Sequence, residues 1–230
     1  MKSNSRYFLI SVCLLLTSYL PEAAQAGGIS LGATRAVYLS DKQQISLSVS
    51  NSDEQSPNLI QSWVSDKDNK KSSAFIVTPP LFVINPKREN TLRIIHTGAA
   101  LPQNQETLFW INVKAIPAID PTQTQNKLQL AVVTRIKLFY RPSNLKTKPE
   151  DALALLRFQR QGAQIYIDNP SPYYLTLINF KLGDHALPNI MVAPHNRTSL
   201  PSPDKKSDHV AFQSINDYGA ITSASQATLQ

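Results

Sequence analysis

Alternation of apolar and polar positions runs through much of the chain and predicts β-strands. The segment 45–51, ISLSVSN, alternates strictly and places Ile45, Leu47 and Val49 on one face. Turn-forming clusters separate further segments of this kind, and the pattern predicts strands at 58–64, 74–84, 91–97, 107–116 and 128–140. Strands at this spacing favour a β-sandwich over helices that cross a parallel sheet.

The segment 128–142, LQLAVVTRIKLFYRP, combines an apolar stripe with positive charge. Its even positions, from Leu128 to Tyr140, are apolar except for one threonine, whereas its odd positions include Arg135, Lys137 and Arg141. An internal core strand accounts for the stripe, because successive side chains of a strand point to opposite faces. It does not account for three cations on the other face.

The strand pattern stops at residues 141–152, which hold two prolines and no apolar periodicity. We predict a linker there, with one helical turn at 149–156. Strand-like segments resume at 156–162, 163–182 and 209–215, joined by the loops 183–189 and 193–206. The sequence therefore predicts an all-β protein with an N-terminal domain at 27–144 and a C-terminal domain at 145–230.

The first 26 residues read as a secretory signal. Lys2 and Arg6 precede a short apolar core, and the small residues Ala24 to Ala26 form a cleavage site. A retained N-terminal anchor is the alternative. The only cysteine, Cys13, lies within this segment, so we expect no disulfide, no cysteine-bound metal and no thiol nucleophile in the mature protein.

Charge and motifs give no support to an enzyme or to a nucleic-acid-binding protein. The formal net charge is +7, but most of the basic residues are dispersed and the protein is expected to be exported. The four histidines show no metal-binding spacing, and no nucleophile elbow, dinucleotide-binding loop or P-loop is present. We expect no catalysis, no metal and no cofactor; a secreted hydrolase would need a clustered nucleophile and base.

Eight motifs in order resemble one family. They are LGATRAVY, IQSWV, FIVTPPLF, ENTLRI, ETLFWINVKAIP, LQLAVVTRIKLFYRP, NPSPYYLTL and INDYGA. Together they are similar to the periplasmic chaperones of chaperone–usher pili, such as those of type 1 and P pili. The short loop 117–127, without flanking cysteines, resembles the short-loop branch. The resemblance implies two immunoglobulin-like domains arranged as a boomerang.

The resemblance also implies roles for the apolar stripe. Leu128, Leu130 and Val132 match the residues that fill the groove of an incomplete pilus subunit. The segment 128–140 would then be an edge strand that the chaperone lends to the subunit, a form of strand addition. An exposed apolar edge is otherwise an aggregation hazard.

The cations receive roles in the same way. Arg35 and Lys137 match the pair that binds the C-terminal carboxylate of the subunit, and Glu106, Arg141 and Asp217 match an interdomain salt bridge. Lys137 has the opposite parity to the stripe, so its side chain should leave the opposite face unless a bulge intervenes.

Expected partners are pilus subunits and an outer-membrane usher, in the periplasm, without nucleic acid. Free chaperone would protect its stripe by self-association, as a capping dimer. The alternative is a secreted structural or adhesive immunoglobulin-like protein of the fibre itself, whose stripe would be covered within the isolated molecule.

Overall fold

The computed structural model describes residues 27–118, 128–204 and 206–230. The predicted signal, residues 1–26, lies outside the described residues, as does most of the short loop 117–127. Within the described part of the chain, strands account for nearly all regular structure.

The first domain is a sandwich of two sheets. Its strands are β1 (Ile29–Leu31), β2 (Arg35–Leu39), β3 (Ile45–Asn51), β4 (Asn58–Ser65), β5 (Phe75–Thr78), β6 (Leu81–Ile84), β7 (Glu89–His96), β8 (Thr107–Pro117) and β9 (Val132–Arg141). One sheet has the order β1-β3-β7-β5, and the other has the order β2-β9-β8-β4-β6. Their pairs are antiparallel except β2 with β9, which is parallel. The inner faces enclose a core that includes Tyr38, Leu47, Ile60, Leu92 and Ile111.

The second domain is a smaller sandwich, preceded by a 3₁₀ helix at Pro149–Leu155. Its strands are β10 (Arg157–Gln161), β11 (Gln164–Asn169), β12 (Leu175–Leu182), β13 (His185–Ala186), β14 (Ile190–Val192), β15 (Asn196–Pro201), β16 (His209–Ser214) and β17 (Ser225–Thr228). One sheet has the order β10-β11-β15, and the other has the order β13-β12-β16-β17 with β14 also beside β12. A separate core includes Phe158, Ile165, Leu177, Phe180 and Phe212. The predicted fold of two immunoglobulin-like sandwiches is confirmed.

Several strand predictions differ from the structure. The predicted loop 183–189 contains the short strand β13, and the predicted segment 163–182 is two strands, β11 and β12. The predicted strand 74–84 is two strands, β5 and β6, because Pro79 and Pro80 between them lack the N–H that a ladder needs. The predicted loop 193–206 contains β15, which pairs with β11 along its whole length. The predicted strand 128–140 begins only at Val132, so Leu128 and Leu130 are not part of a ladder.

Strand β9 has a different environment on each face and along its length. The side chains of Ile136, Leu138 and Tyr140 point into the core of the first domain. The same face continues to Val132, which is 63% exposed. The apolar alternation continues beyond the strand with Leu130 and Leu128, which are 66% and 85% exposed. The register of β9 against β8 is continuous from Ala115↔Val132 to Thr107↔Tyr140. No bulge intervenes, and Lys137 lies on the opposite face.

We predict that the same leucine truncation costs much more stability in the buried part of this stripe than in the exposed part. Leu138→Ala should lower the free energy of unfolding by about 2–5 kcal/mol, because it opens a cavity in a packed core. Leu130→Ala should change it by less than about 0.5 kcal/mol, because that side chain contacts solvent. Denaturant unfolding of the free protein measures both. Equal losses would show that residue 130 is packed in the free protein.

Candidate functional site in the cleft between the domains

The face of β9 opposite the core lines a cleft of about 390 Å³ between the two domains. Phe139 and Arg141 contribute from β9, Arg35 from β2, and Tyr173 and Asp217 from the second domain. Two odd positions of β9, Lys137 and Arg141, therefore place cations against the second domain. This placement accounts for positive charge on a strand whose other face enters a core.

Arg141 binds carboxylates of both domains. Its Nε lies 2.7 Å from Oε1 of Glu106, and its two terminal nitrogens lie 2.6 and 2.7 Å from the carboxylate oxygens of Asp217. The ring of Tyr173 lies 5.0 Å from the guanidinium carbon. Such fork-shaped contacts are directional, so they restrict how the two domains can rotate against each other.

Glu106 is the most buried member of this cluster, with a side chain 2% exposed. Its Oε2 accepts a hydrogen bond from the backbone N–H of Tyr174 at 2.8 Å, and its own N–H donates to the carbonyl of Pro172. Burial raises the pKa of the Glu106 carboxyl, and the charge of Arg141 opposes that shift. Glu106 thus joins the domains through both its side chain and its backbone.

The turn that carries Asp217 fits closely against the first domain. The side-chain oxygen of Asn216 accepts hydrogen bonds from the backbone N–H groups of Tyr218 and Ala220, which fixes the turn locally. Gly219 has φ +84°, and a Cβ at this position would collide with the hydroxyl of Thr34. The glycine therefore permits both the turn conformation and the approach of the two domains.

Arg35 and Lys137 lie side by side across the parallel β2–β9 pair. Arg35 donates from Nη1 to the carbonyl of Ile215 at 2.9 Å, whereas its Nε is buried without a hydrogen-bond partner. The Lys137 ammonium lies 3.5 Å from the hydroxyl of Thr176. Within the described residues neither cation forms an ion pair.

The electrostatics of this pair favour an anion. Burial lowers the pKa of the Arg35 guanidinium. The pKa of Lys137 is lowered by burial and then by the neighbouring charge of Arg35. Two adjacent, partly buried cations with unused donors form a site where an anion would reduce their mutual repulsion and offset the cost of burying their charges.

The edge of β9 is open beside its N-terminal half. Strand β2 pairs only from Lys137 to Arg141, because the chain before Arg35 crosses to the other sheet, where β1 pairs with β3. No strand among the described residues pairs with this edge from Val132 to Ile136. The vacant edge adjoins the exposed part of the stripe, and the two overlap at Val132.

Sequence reasoning missed the groups that hold these residues in place. The carbonyl of Ile215 and the N–H of Tyr174 are backbone groups, which leave no signal in a sequence pattern. Thr176 is one residue within strand β12, and nothing in the sequence distinguishes it from other strand residues. Among the described residues no cluster of metal-ligating side chains is present, and no helix is long and apolar enough to cross a membrane.

We predict that loss of Arg141 costs more stability than loss of its exposed partner. Arg141→Ala should lower the free energy of unfolding by about 3–5 kcal/mol, because Glu106 remains buried without its cation. Asp217→Asn should cost about 1 kcal/mol or less, because that side chain is 38% exposed. Denaturant unfolding measures both, and the reverse ranking would contradict the role of burial.

Comparisons with known proteins agree over both domains. The model of the pili and flagellar-assembly chaperone, PapD N-terminal domain, matches residues 28–146. The model of the pili assembly chaperone PapD, C-terminal domain, matches residues 151–226.

Individual relatives give the same assignment. Chaperone protein FimC of Escherichia coli K12 is 44% identical over 224 residues, which cover 96% of this chain and 93% of that protein. The probable fimbrial chaperone SfmC of the same strain is 43% identical, covering 96% and 98%. The crystal structure of the periplasmic chaperone SfaE has a TM-score of 0.78 at 43% identity, covering 88% of this chain and 100% of that one.

A chain from the complex of Salmonella enterica SafA pilin with the SafB chaperone has a TM-score of 0.81 at 31% identity, covering 90% and 99%. The sandwich pair, the cleft and both family models thus agree over nearly the whole described chain. This chain belongs to the family of pilus-assembly chaperones, a class of folding and assembly proteins rather than of enzymes.

Proposed function

We propose that this chaperone binds and folds pilus subunits in the periplasm by lending them the open edge of β9. The observation that carries the proposal is the exposed stripe Leu128, Leu130 and Val132, which continues the apolar alternation of β9 next to an unpaired strand edge. A subunit that lacks one strand offers the complement, namely a groove with an unpaired edge. Strand addition would pair the two open strand edges with each other and bury the stripe in the subunit's groove.

The stripe has enough apolar surface for stable binding. Complete burial of an aliphatic side chain contributes about 1.5–3 kcal/mol, so three such residues contribute several kcal/mol before ordering costs. Leu128 and Leu130 lie outside the ladder of the free protein. Their segment would extend β9 when the subunit supplies the second strand.

The carboxylate at the end of the subunit would set the register. Arg35 retains unused donors, including a buried Nε, and Lys137 carries no ion pair within the described chain. A charge-assisted pair with a carboxylate is about twice as strong as a neutral hydrogen bond. The stripe would thus provide affinity, and the two cations would determine where the strand lies.

The direction of the subunit strand follows from these two contacts. Its last residue would lie at Lys137 while its preceding residues lie along 128–136, so it would run parallel to β9. Strand β2 is already parallel to β9 and begins at Arg35. The subunit strand would therefore end where β2 begins, and the two strands would lie end to end beside β9.

The remaining steps follow the family pattern. The signal at residues 1–26 would direct export, and the domains at 27–144 and 145–230 would hold the subunit between them. The complex would pass to an outer-membrane usher, where the next subunit displaces β9. No cofactor is needed, because a better-fitting final strand would supply the free energy. A chaperone with a bound pilin is known among the relatives, in the SafA–SafB complex.

The structural or adhesive protein of the fibre is the weaker alternative. In such a protein the stripe would be covered within the isolated molecule, whereas here Leu128 is 85% exposed. The relatives that match along the whole chain are chaperones. Free chaperone would still need to protect the stripe, and a self-capping dimer is the form we propose.

We predict that the cleft cations are required for subunit binding. Periplasmic pull-down with mass spectrometry, from a host that expresses its own fimbrial subunits, should recover a small immunoglobulin-like subunit one-to-one with the wild-type protein. Arg35→Ala and Lys137→Ala should each abolish recovery, because the subunit carboxylate would be partly buried with only one of its two cationic partners.

Two exposed residues away from the cleft provide matched controls. Arg93→Ala on β7 removes one arginine, and Lys181→Ala on β12 removes one lysine, as the cleft variants do. Both should leave recovery of the subunit unchanged. Undiminished binding by both cleft variants, or no subunit with the wild-type protein, would contradict the proposal.

A further inference from the structure

Tyr218 is the most exposed of the large apolar and aromatic side chains in the described part of the chain, at 95%. It lies on the turn between β16 and β17 and lines the cleft between the domains together with Arg35. Its backbone N–H donates to the side chain of Asn216, but its own side chain forms no hydrogen bond or ring contact within the described residues. The fold therefore gives this ring no packing role.

The turn that carries Tyr218 is held by contacts on both sides of the ring. Asn216 accepts a hydrogen bond from the N–H of Tyr218, and the neighbouring Asp217 binds β9 through its carboxylate. Directly after Tyr218, Gly219 lies against Thr34 of the first domain. The backbone under the ring is therefore fixed before any partner binds. An aromatic side chain on such a support loses little conformational entropy on binding, because it has few rotatable bonds.

The position of this turn matches the end of the proposed subunit strand. This step rests on the proposed function, in which the subunit strand ends where β2 begins and its carboxylate binds the two cleft cations. Thr34 immediately precedes β2, and Gly219 lies against it. The carbonyl of Ile215, at the start of the turn, accepts a hydrogen bond from Arg35, the first residue of β2. Tyr218 therefore lies beside the place where the last residues of the subunit would bind.

We propose that Tyr218 contacts the side chain of one of the last two residues of the subunit and selects an aromatic or large apolar residue there. Successive side chains of a strand leave opposite faces, so one of these two residues directs its side chain into the cleft, toward the second domain. A tyrosine ring gains most from a partner that has a ring or a large apolar surface. The cleft cations would bind the terminal carboxylate of every subunit, whereas Tyr218 would distinguish subunits by their final side chains.

The test uses synthetic peptides of alternating valine and threonine with a free C-terminal carboxylate and an N-terminal fluorophore. Phenylalanine, or serine as a small polar residue, replaces either the last residue or the one before it. Fluorescence anisotropy with the whole chaperone measures the dissociation constant of each peptide. Because the Tyr218 ring is exposed in the free protein, its removal should leave the free energy of unfolding unchanged, so a change in binding reports on the contact itself.

We expect the phenylalanine peptide to bind more tightly than the serine peptide at one of the two positions. Tyr218→Ser should reduce that preference by about three- to tenfold, whereas Tyr218→Phe should retain it because the ring remains. The control Tyr166→Ser removes a tyrosine that packs against Arg197 on the other sheet of the second domain, and it should leave the preference unchanged. A preference that survives Tyr218→Ser in full, or no preference at either position, would overturn the inference.

Amidation of the peptide C-terminus separates this inference from the proposed function. Amidation should weaken binding of every peptide, both to the wild-type protein and to the Tyr218→Ser variant, because it removes the group that Arg35 and Lys137 bind. If amidation has no effect while the phenylalanine preference depends on Tyr218, the proposed carboxylate anchor fails and the Tyr218 contact stands. If amidation weakens binding but Tyr218→Ser changes nothing, only the Tyr218 assignment fails.

Discussion

The architecture depends on one strand that serves two environments. From Ile136 to Tyr140 the even-numbered side chains of β9 pack in the core of the first domain, and β2 pairs with its edge. From Val132 back to Leu128 the even-numbered side chains are exposed, and no described strand pairs with the open edge of this part of the chain. The buried half and its pairing with β8 fix the strand from Val132 onward, so the exposed residues before it extend from a rigid support. A free loop with the same residues would lose much more entropy on binding.

The cleft adds a second constraint, because its cations are positioned by both domains. Arg141 bridges Glu106 and Asp217, and the turn that carries Asp217 also directs the carbonyl of Ile215 to Arg35. The interdomain contacts and the proposed anchor therefore share one turn. A change in the angle between the domains would move Arg35 as well as Asp217.

The sequence predicts several of the strands and the parity of Lys137, but not every strand that surrounds the site. Strict alternation at 45–51 predicts β3 at its observed bounds, since a half-buried strand must alternate. The opposite parity of Lys137 and the stripe is also readable, and the structure keeps it without a bulge. Strand β2 was not predicted, because a short parallel strand carries little pattern and its partner lies about a hundred residues away.

The other differences between the predicted and the observed strands also have local causes. Alternation at 128–131 looks like a paired strand, yet a strand that awaits a partner has the same pattern as one that has it. Strand β15 was missed because prolines surround it, although Pro201 only ends it. The roles assigned to Arg35, Lys137 and the groove-filling residues came from family resemblance and remain predictions.

Amide hydrogen exchange on the free chaperone and on its complex with a subunit tests the central claim most directly. Amides of β9 that face the open edge between Val132 and Ile136 should exchange rapidly in the free protein and become protected in the complex. Those from Lys137 to Arg141, already paired with β2, should be protected in both states. Unchanged exchange at 132–136, with new protection on another surface, would show that subunits bind elsewhere and that β9 is not the lent strand.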